Sequence, residues 1–126
     1  MLLFGKEKMA HILLVDDQPY IGEFLSEELA DGGHQIACVR QADRVMSALE
    51  ESHPDMVLLD LYLDGFEGWD LLDKIKNHDP SLPVLIVSAY DSFRNDPRLS
   101  RADGYVIKSF NTDHLRQKIH ETLTNH

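Results

Sequence analysis

Five short apolar runs rich in Val, Ile and Leu recur along the chain, at residues 11–15 (HILLV), 34–39 (HQIACV), 55–59 (DMVLL), 83–87 (PVLIV) and 104–107 (GYVI). The first, third and fourth are nearly continuous rather than alternating, which predicts central parallel strands covered on both faces. Between the runs the apolar spacing turns helical. Pro19 suits a first helical turn, and Ile21, Phe24, Leu25 and Leu29 share one face before Asp31-Gly32-Gly33 ends it. Val45, Met46 and Leu49 mark a second helix stopped near His53-Pro54. Trp69, Leu72 and Ile75 mark a third, with Trp69 read as helix-face packing, closed before Pro80. The last helix carries Leu115, Ile119 and Leu123 at i, i+4 and i+8, with Asn111 or Thr112 as candidate cap.

Residues 91–102 (DSFRNDPRLSRA) break this rhythm. Pro97 lies mid-segment and only Phe93 and Leu99 are large and apolar, so the fourth helix is expected to be short, broken or partly 3₁₀. The strand–helix alternation implies parallel strands with right-handed crossovers, hence an open doubly wound (βα)5 α/β sheet. No repeat, low-complexity tract or linker divides it. Residues 1–9 read as a loose leader, with Met9 as an alternative start, and residues 10–126 as one domain that leaves no room for a second.

Charge narrows the partners. Twelve basic against 22 acidic residues give a net charge of −10. Such a surface repels phosphate backbones and anionic lipid, so neither nucleic acid nor a membrane is an expected partner. The N-terminal MLLF is too short for a signal peptide or a span. Cys38 is the sole cysteine, which rules out an intramolecular disulfide and makes a reducing, cytoplasmic setting the default. Within QIACV it is expected to be a small buried hydrophobe.

In open α/β sheets, ligands bind outside the carboxyl ends of the strands. Asp16 and Asp17 follow the first run, Asp60 the third, Ser88 the fourth and Lys108 the fifth, while Arg40 ends the second. Each alone has an ordinary reading: Asp17 as a cap for the helix at Pro19, Asp60 as a turn residue, Ser88 as structural, Lys108 as a solvated charge. Coincidence is a poorer account of the set. Three clustered carboxylates raise one another's pKa unless a cation shares the site, and oxygen ligands without Cys or His suit Mg²⁺. A carboxylate is also a competent nucleophile towards phosphorus, giving an acyl phosphate that metal, hydroxyl and ammonium would hold. The seven histidines (11, 34, 53, 78, 114, 120 and 126) are scattered without an i, i+4 pair, so a histidine metal site is not expected. There is no GxxxxGK for a nucleotide, and VDDQP offers acids where a flavin-phosphate loop needs small residues.

At these positions the sequence resembles a response-regulator receiver domain, over residues 10–124. VDD at 15–17 matches the acidic pair, and LLDLYLDGFEGWD at 58–70 the segment around the phospho-accepting aspartate, with Gly68 as the loop glycine. VSA at 87–89 matches the Ser/Thr-plus-small pair, and DGYVIKS at 103–109 the segment with the switch aromatic and the lysine. The resemblance implies the flavodoxin-like strand order 2-1-3-4-5 and a signalling switch rather than an enzyme. It implies that Asp60 accepts a phosphoryl group from a phosphohistidine on a histidine kinase or phosphotransfer protein. Asp17 and Asp60 would bind Mg²⁺ directly and Asp16 largely through water, with the Tyr62 carbonyl as a further ligand. Ser88 would donate to a phosphoryl oxygen, helped by the Ala89 amide; Lys108 would pair with the phosphoryl group, and Tyr105 would swing inward when Ser88 moves.

The sequence departs from the family at three places. Ser109 stands where proline, joined by a cis bond, usually follows the lysine; a non-proline cis bond costs about 2.5–4 kcal/mol. Leu63-Asp64 replaces the usual Met-Pro, with Asp64 expected to face solvent, and 91–102 is irregular where receivers have a full helix. The expectation is a single-domain regulator or phosphorelay intermediate, read by a separate output protein at the surface of the fourth helix, fifth strand and fifth helix. Whether copies pair as a homodimer is left open. The alternative is a pseudo-receiver, a constitutive interaction module, motivated by Ser109 and the weak fourth helix and opposed by the complete polar set. A haloacid-dehalogenase-type phosphatase needs an acid two residues after its nucleophile, where Tyr62 stands.

Overall fold

The computed structural model of the protein describes residues 9–63, 66–91, 93–109 and 111–125. The expected leader, save Met9, and Asp64 lie outside them. Five parallel strands form one sheet: β1 (His11–Val15), β2 (Gln35–Val39), β3 (Met56–Leu59), β4 (Val84–Ser88) and β5 (Gly104–Ile107), in the order β2-β1-β3-β4-β5. The helices are α1 (Pro19–Asp31), α2 (Val45–Ser52), α3 (Gly68–His78) and α4 (Asp113–Thr124). This is the doubly wound order expected.

The two-residue alternation of each strand sorts its side chains into two cores. Leu13, Val15, Val57, Leu59, Val84 and Ile86 meet Val45 and Leu49 of α2 and Leu72 and Ile75 of α3. Ile12, Leu14, Met56, Leu58, Leu85 and Val87 meet Leu25 and Leu29 of α1 and Leu115 and Ile119 of α4. The continuous apolar runs are therefore needed, because β1, β3 and β4 are buried on both faces.

In place of a fourth helix there is a 3₁₀ turn, Pro97–Arg101, whose first turn is capped by Asp96 accepting from the Arg98 N–H at 2.9 Å. Proline starts it and too few apolar residues follow to extend it. The segment is nonetheless tied to α3. The Arg98 guanidinium lies 4.2 Å from the Trp69 ring centre, and Arg101 reaches Asp73 and Asn77, each at 3.0 Å. Trp69 is buried as helix-face packing.

Several local expectations are corrected. Cys38 is exposed, because β2 is an edge strand and its burial pattern is open almost throughout. The N-cap of α1 is Gln18, not Asp17, and it makes no side-chain cap bond. At α4 the cap position is Thr112, but Asn111 accepts from the Asp113 N–H at 3.0 Å while Thr112 donates to Glu28 at 3.1 Å. No cis peptide bond occurs among the described residues, so Lys108–Ser109 is trans. A two-residue antiparallel hairpin, Tyr62–Leu63 with Phe66–Glu67, was not anticipated. No helix is long and apolar enough to cross a membrane among the residues described.

Lys76 was also missed. Its side chain is 8% exposed on α3, and its ammonium donates to the Leu82 carbonyl at 2.7 Å and to Asp103 Oδ2 at 2.8 Å. The same Asp103 oxygen accepts the Val84 N–H at 2.8 Å, so this pair secures the start of β4. Asp103→Ala would strand a buried ammonium and a backbone donor, with a cost near the low end for broken buried pairs, about 3 kcal/mol. Urea unfolding should show that loss, and Asp103→Asn, which keeps an acceptor, should lose distinctly less.

Candidate functional site

The ladder hydrogen bonds run one residue past the strand ends and fix the backbone of the polar rim. Asp16 N–H donates to Val39 O at 3.1 Å, Asp60 N–H to Val15 O at 3.0 Å, and Lys108 N–H to Ser88 O at 2.7 Å. Val15 pairs with Leu59 in register, so Asp16 and Asp60 leave adjacent strands at the same height. Carried one step on, the alternation points Asp16, Asp60 and Lys108 towards the α1/α4 face and Ser88 towards the other.

The result is a compact charged site. Asp16 and Asp60 are buried and Asp17 half-buried, and one oxygen from each of the three lies within 4.8 Å of the others. No other group of three or more Asp, Glu, His or Cys side chains gathers this way among the described residues. The Lys108 ammonium stands 2.8 Å from Asp16 Oδ2 and 2.9 Å from Asp60 Oδ2. The remaining oxygens are held by the backbone two residues on: Gln18 N–H donates to Asp16 Oδ1 at 2.9 Å and Tyr62 N–H to Asp60 Oδ1 at 3.1 Å. Asp16 Oδ2 is buried and pairs with Lys108 by charge alone, without hydrogen-bond alignment.

Lys108 is thus paired with two of the three acids. Burial pushes the Asp60 carboxyl above the ordinary range, even though Lys108 and the Tyr62 amide pull it down. Burial acts on Lys108 in the opposite sense, but its ion pair with Asp16 and its hydrogen bond to Asp60 outweigh it and the amine is raised. An under-bonded buried oxygen, an all-oxygen donor set and a surplus of negative charge suit a hard divalent cation such as Mg²⁺.

Gly68 shapes the loop after Asp60. A Cβ there would lie 2.4 Å from Leu61 Cα, 2.8 Å from Leu61 O and 2.9 Å from Asp60 O, all of it backbone. Its N–H donates to Leu61 O at 2.9 Å, so the start of α3 seats directly on the Asp60 segment.

Ser88 is fully buried at the end of β4, and its Oγ accepts the Tyr90 N–H at 3.2 Å. Tyr105, half-buried on β5, donates its hydroxyl to the Tyr90 carbonyl. Ala89 is exposed beside them, and Arg40 is exposed just past the end of β2. The Tyr62 ring packs edge-on to Tyr90 at 5.2 Å and against Phe93 at 5.6 Å, and Phe93 in turn meets Trp69 at 6.0 Å. One contact had no signal in the sequence. Gln18 Oε1 accepts from the Lys108 ammonium at 3.2 Å across 90 residues of chain.

The family model for the response regulator receiver domain matches residues 12–120. Among curated proteins, the nitrogen assimilation regulatory protein NtrX of Azorhizobium caulinodans is 33% identical over 112 residues, which span 85% of this chain and 25% of that protein. The chain spans between a quarter and about half the length of the curated relatives it matches. The crystal structure of the response regulator TrrA of Thermotoga maritima in complex with Mg²⁺ and BeF gives a TM-score of 0.86 at 32% identity, covering 90% of this chain and 99% of that one. TrrA in complex with the histidine kinase ThkA gives 0.85 at 33% identity, covering 91% and 99%.

Two expectations follow from the geometry. Gly68→Ala must displace backbone beside Asp60 and should destabilise the fold by about 1–3 kcal/mol, read by urea unfolding. For the metal-free protein, the raised Asp60 proton affinity favours the native state below the ordinary value of 3.8, and that contribution is lost as pH rises through the raised native value. The raised Lys108 works the same way at high pH: its contribution is present below 10.5 and lost above. At pH 7, Asp60→Asn should therefore unfold at higher urea than wild type without metal. Added Mg²⁺ should stabilise wild type and leave the variant almost unmoved.

Proposed function

The chain belongs to the response regulator receiver domain family, and on that premise we propose that it is a phosphorylatable signalling switch with Asp60 as the acceptor. The observation that carries this reading is the assembled site, with Asp16, Asp17 and Asp60 gathered on one rim and Lys108 paired to two of them.

In the proposed reaction an Asp60 oxygen attacks the phosphorus of a phosphohistidine on a histidine kinase or phosphotransfer protein. The new O–P bond forms as the N–P bond breaks, and the electron pair returns to the imidazole. Asp16, Asp17, Asp60 and the Tyr62 carbonyl would hold Mg²⁺, which supplies positive charge against the carboxylates and the phosphoryl oxygens. Lys108 turns its ammonium from Asp60 to a phosphoryl oxygen, so the charge that pairs the resting acid then pairs the product. Ser88 gives up its bond from Tyr90 and donates its hydroxyl to the phosphoryl group, with the Ala89 amide beside it. Because the Tyr90 carbonyl also holds the Tyr105 hydroxyl, movement of Ser88 is passed to Tyr105 on β5.

An apolar hollow of about 130 Å³, lined by Ile21, Phe24 and Leu25 beside Lys108 and Ser109, flanks the site on the α1 side. With Tyr20 83% exposed next to it, this face would receive the phosphodonor protein. The output protein would read the 3₁₀ segment, β5 and α4. Ser109 and the weak fourth helix favoured a constitutive module, but with a trans Lys108–Ser109 bond Lys108 is still paired with both acids, which weighs against that alternative. A cytoplasmic setting is part of the same proposal, as a phosphohistidine donor of this class works there.

The test is intact mass after incubation with acetyl phosphate and Mg²⁺. Wild type should gain one phosphoryl group, and Asp60→Asn, Lys108→Ala and metal-free samples should gain none or far less. A wild type that neither gains mass nor binds beryllofluoride with Mg²⁺ would turn the reading to the constitutive module.

A further inference from the structure

Lys108 has a third partner that carries no charge. Its ammonium meets two carboxylates, Asp16 and Asp60, and the Gln18 carboxamide oxygen at 3.2 Å. Gln18 is held in place for that contact. It occupies the N-cap position of α1 without capping it, so its side chain is not engaged with the helix. Its N–H donates to Asp16 Oδ1 at 2.9 Å and its carbonyl accepts from the Gly22 N–H at 3.0 Å, which fixes the backbone from both sides. The residue is exposed at the mouth of the site, above the buried acids.

The three acceptors respond differently to a cation. Both carboxylates paired with Lys108 belong to the oxygen triad suited to Mg²⁺, so a bound cation takes their charge and repels the ammonium. A neutral amide outside the triad keeps its bond. We infer that Gln18 is a positioning residue for phosphoryl transfer: it holds the Lys108 ammonium at the mouth of the metal-loaded site, where the incoming phosphoryl oxygens arrive. This rests on the proposed function and deepens it. Without the amide, a flexible four-carbon stem must find the phosphoryl oxygen from solvent, and the pre-organisation is lost.

The test compares wild type with Gln18→Met, which keeps the length but removes the acceptor, and Gln18→Glu, which keeps an acceptor oxygen. Two readouts are taken: the rate of phosphorylation by acetyl phosphate at saturating Mg²⁺, and the side-chain ammonium signal of Lys108 in ¹⁵N-labelled, Mg²⁺-loaded protein. Gln18→Met should lower the maximal rate about tenfold, as for a lost bond to a charged group at an exposed site. Its half-saturation by acetyl phosphate and its Mg²⁺ affinity should stay unchanged, and its Lys108 signal should be lost to solvent exchange. Gln18→Glu should keep the signal and most of the rate. Wild-type rate and signal in Gln18→Met would overturn the inference. So would equal slowing of both variants with the signal kept, which would assign Gln18 only to the start of α1. Should wild type take up no phosphoryl group, the functional reading falls separately. The ammonium signal still decides Gln18, since retention in Gln18→Met refutes the inference and loss supports it.

Discussion

Three carboxylates at the ends of two adjacent strands are the constraint that the rest of this structure is arranged around. They sit together because β1 and β3 are neighbours in register, with the Asp16 and Asp60 backbones held at the strand ends by ladder hydrogen bonds. Burial, with the Asp16 charge adding to it, raises the proton affinity of Asp60 and weakens the fold where that group is ionised. One ammonium, from the far edge of the sheet, offsets part of that cost. The remaining negative charge on the rim is of the kind that a hard divalent cation is suited to offset. The cost to the resting fold and the chemistry of the site thus have the same origin.

The same interaction links the site to its surroundings. Tyr62 anchors Asp60 through its amide, and its ring begins an aromatic series through Phe93 to Trp69, where Arg98 stacks. The irregular segment after β4 is thereby held against α3 although it forms no α-helix. On the other side, Ser88, the Tyr90 backbone and the Tyr105 hydroxyl form a second series that reaches β5. Gln18 occupies the third side, between the start of α1 and Lys108.

Much of this was legible in local patterns. The unbroken runs of β1, β3 and β4 announced strands covered on both faces, and the residues ending them announced the rim. Pro97 and the shortage of apolar residues around it announced the 3₁₀ turn. Misreadings arose where a local pattern depends on neighbours distant in sequence. QIACV looks as apolar as the other runs, yet Cys38 is exposed because β2 is the edge strand of the sheet. Asp17 looks like a cap for Pro19, but the chain places Gln18 at that position. Lys76 looks like a surface lysine on a helix until the Leu82 carbonyl and Asp103 close over it.

By itself, then, the sequence determined the alternation of strands and helices, the parallel sheet, and the residue types at each strand end. These follow from periodicities of two and 3.6 residues and from what a strand must bury, all of which act over short stretches of chain. Tertiary structure alone decided which of those residues touch. The pairing of one lysine with two acids, the neutral third partner at Gln18 and the burial of Lys76 join positions far apart in the chain. Such contacts arise from strand register and from the geometry of loops, and no repeat in the sequence encodes either.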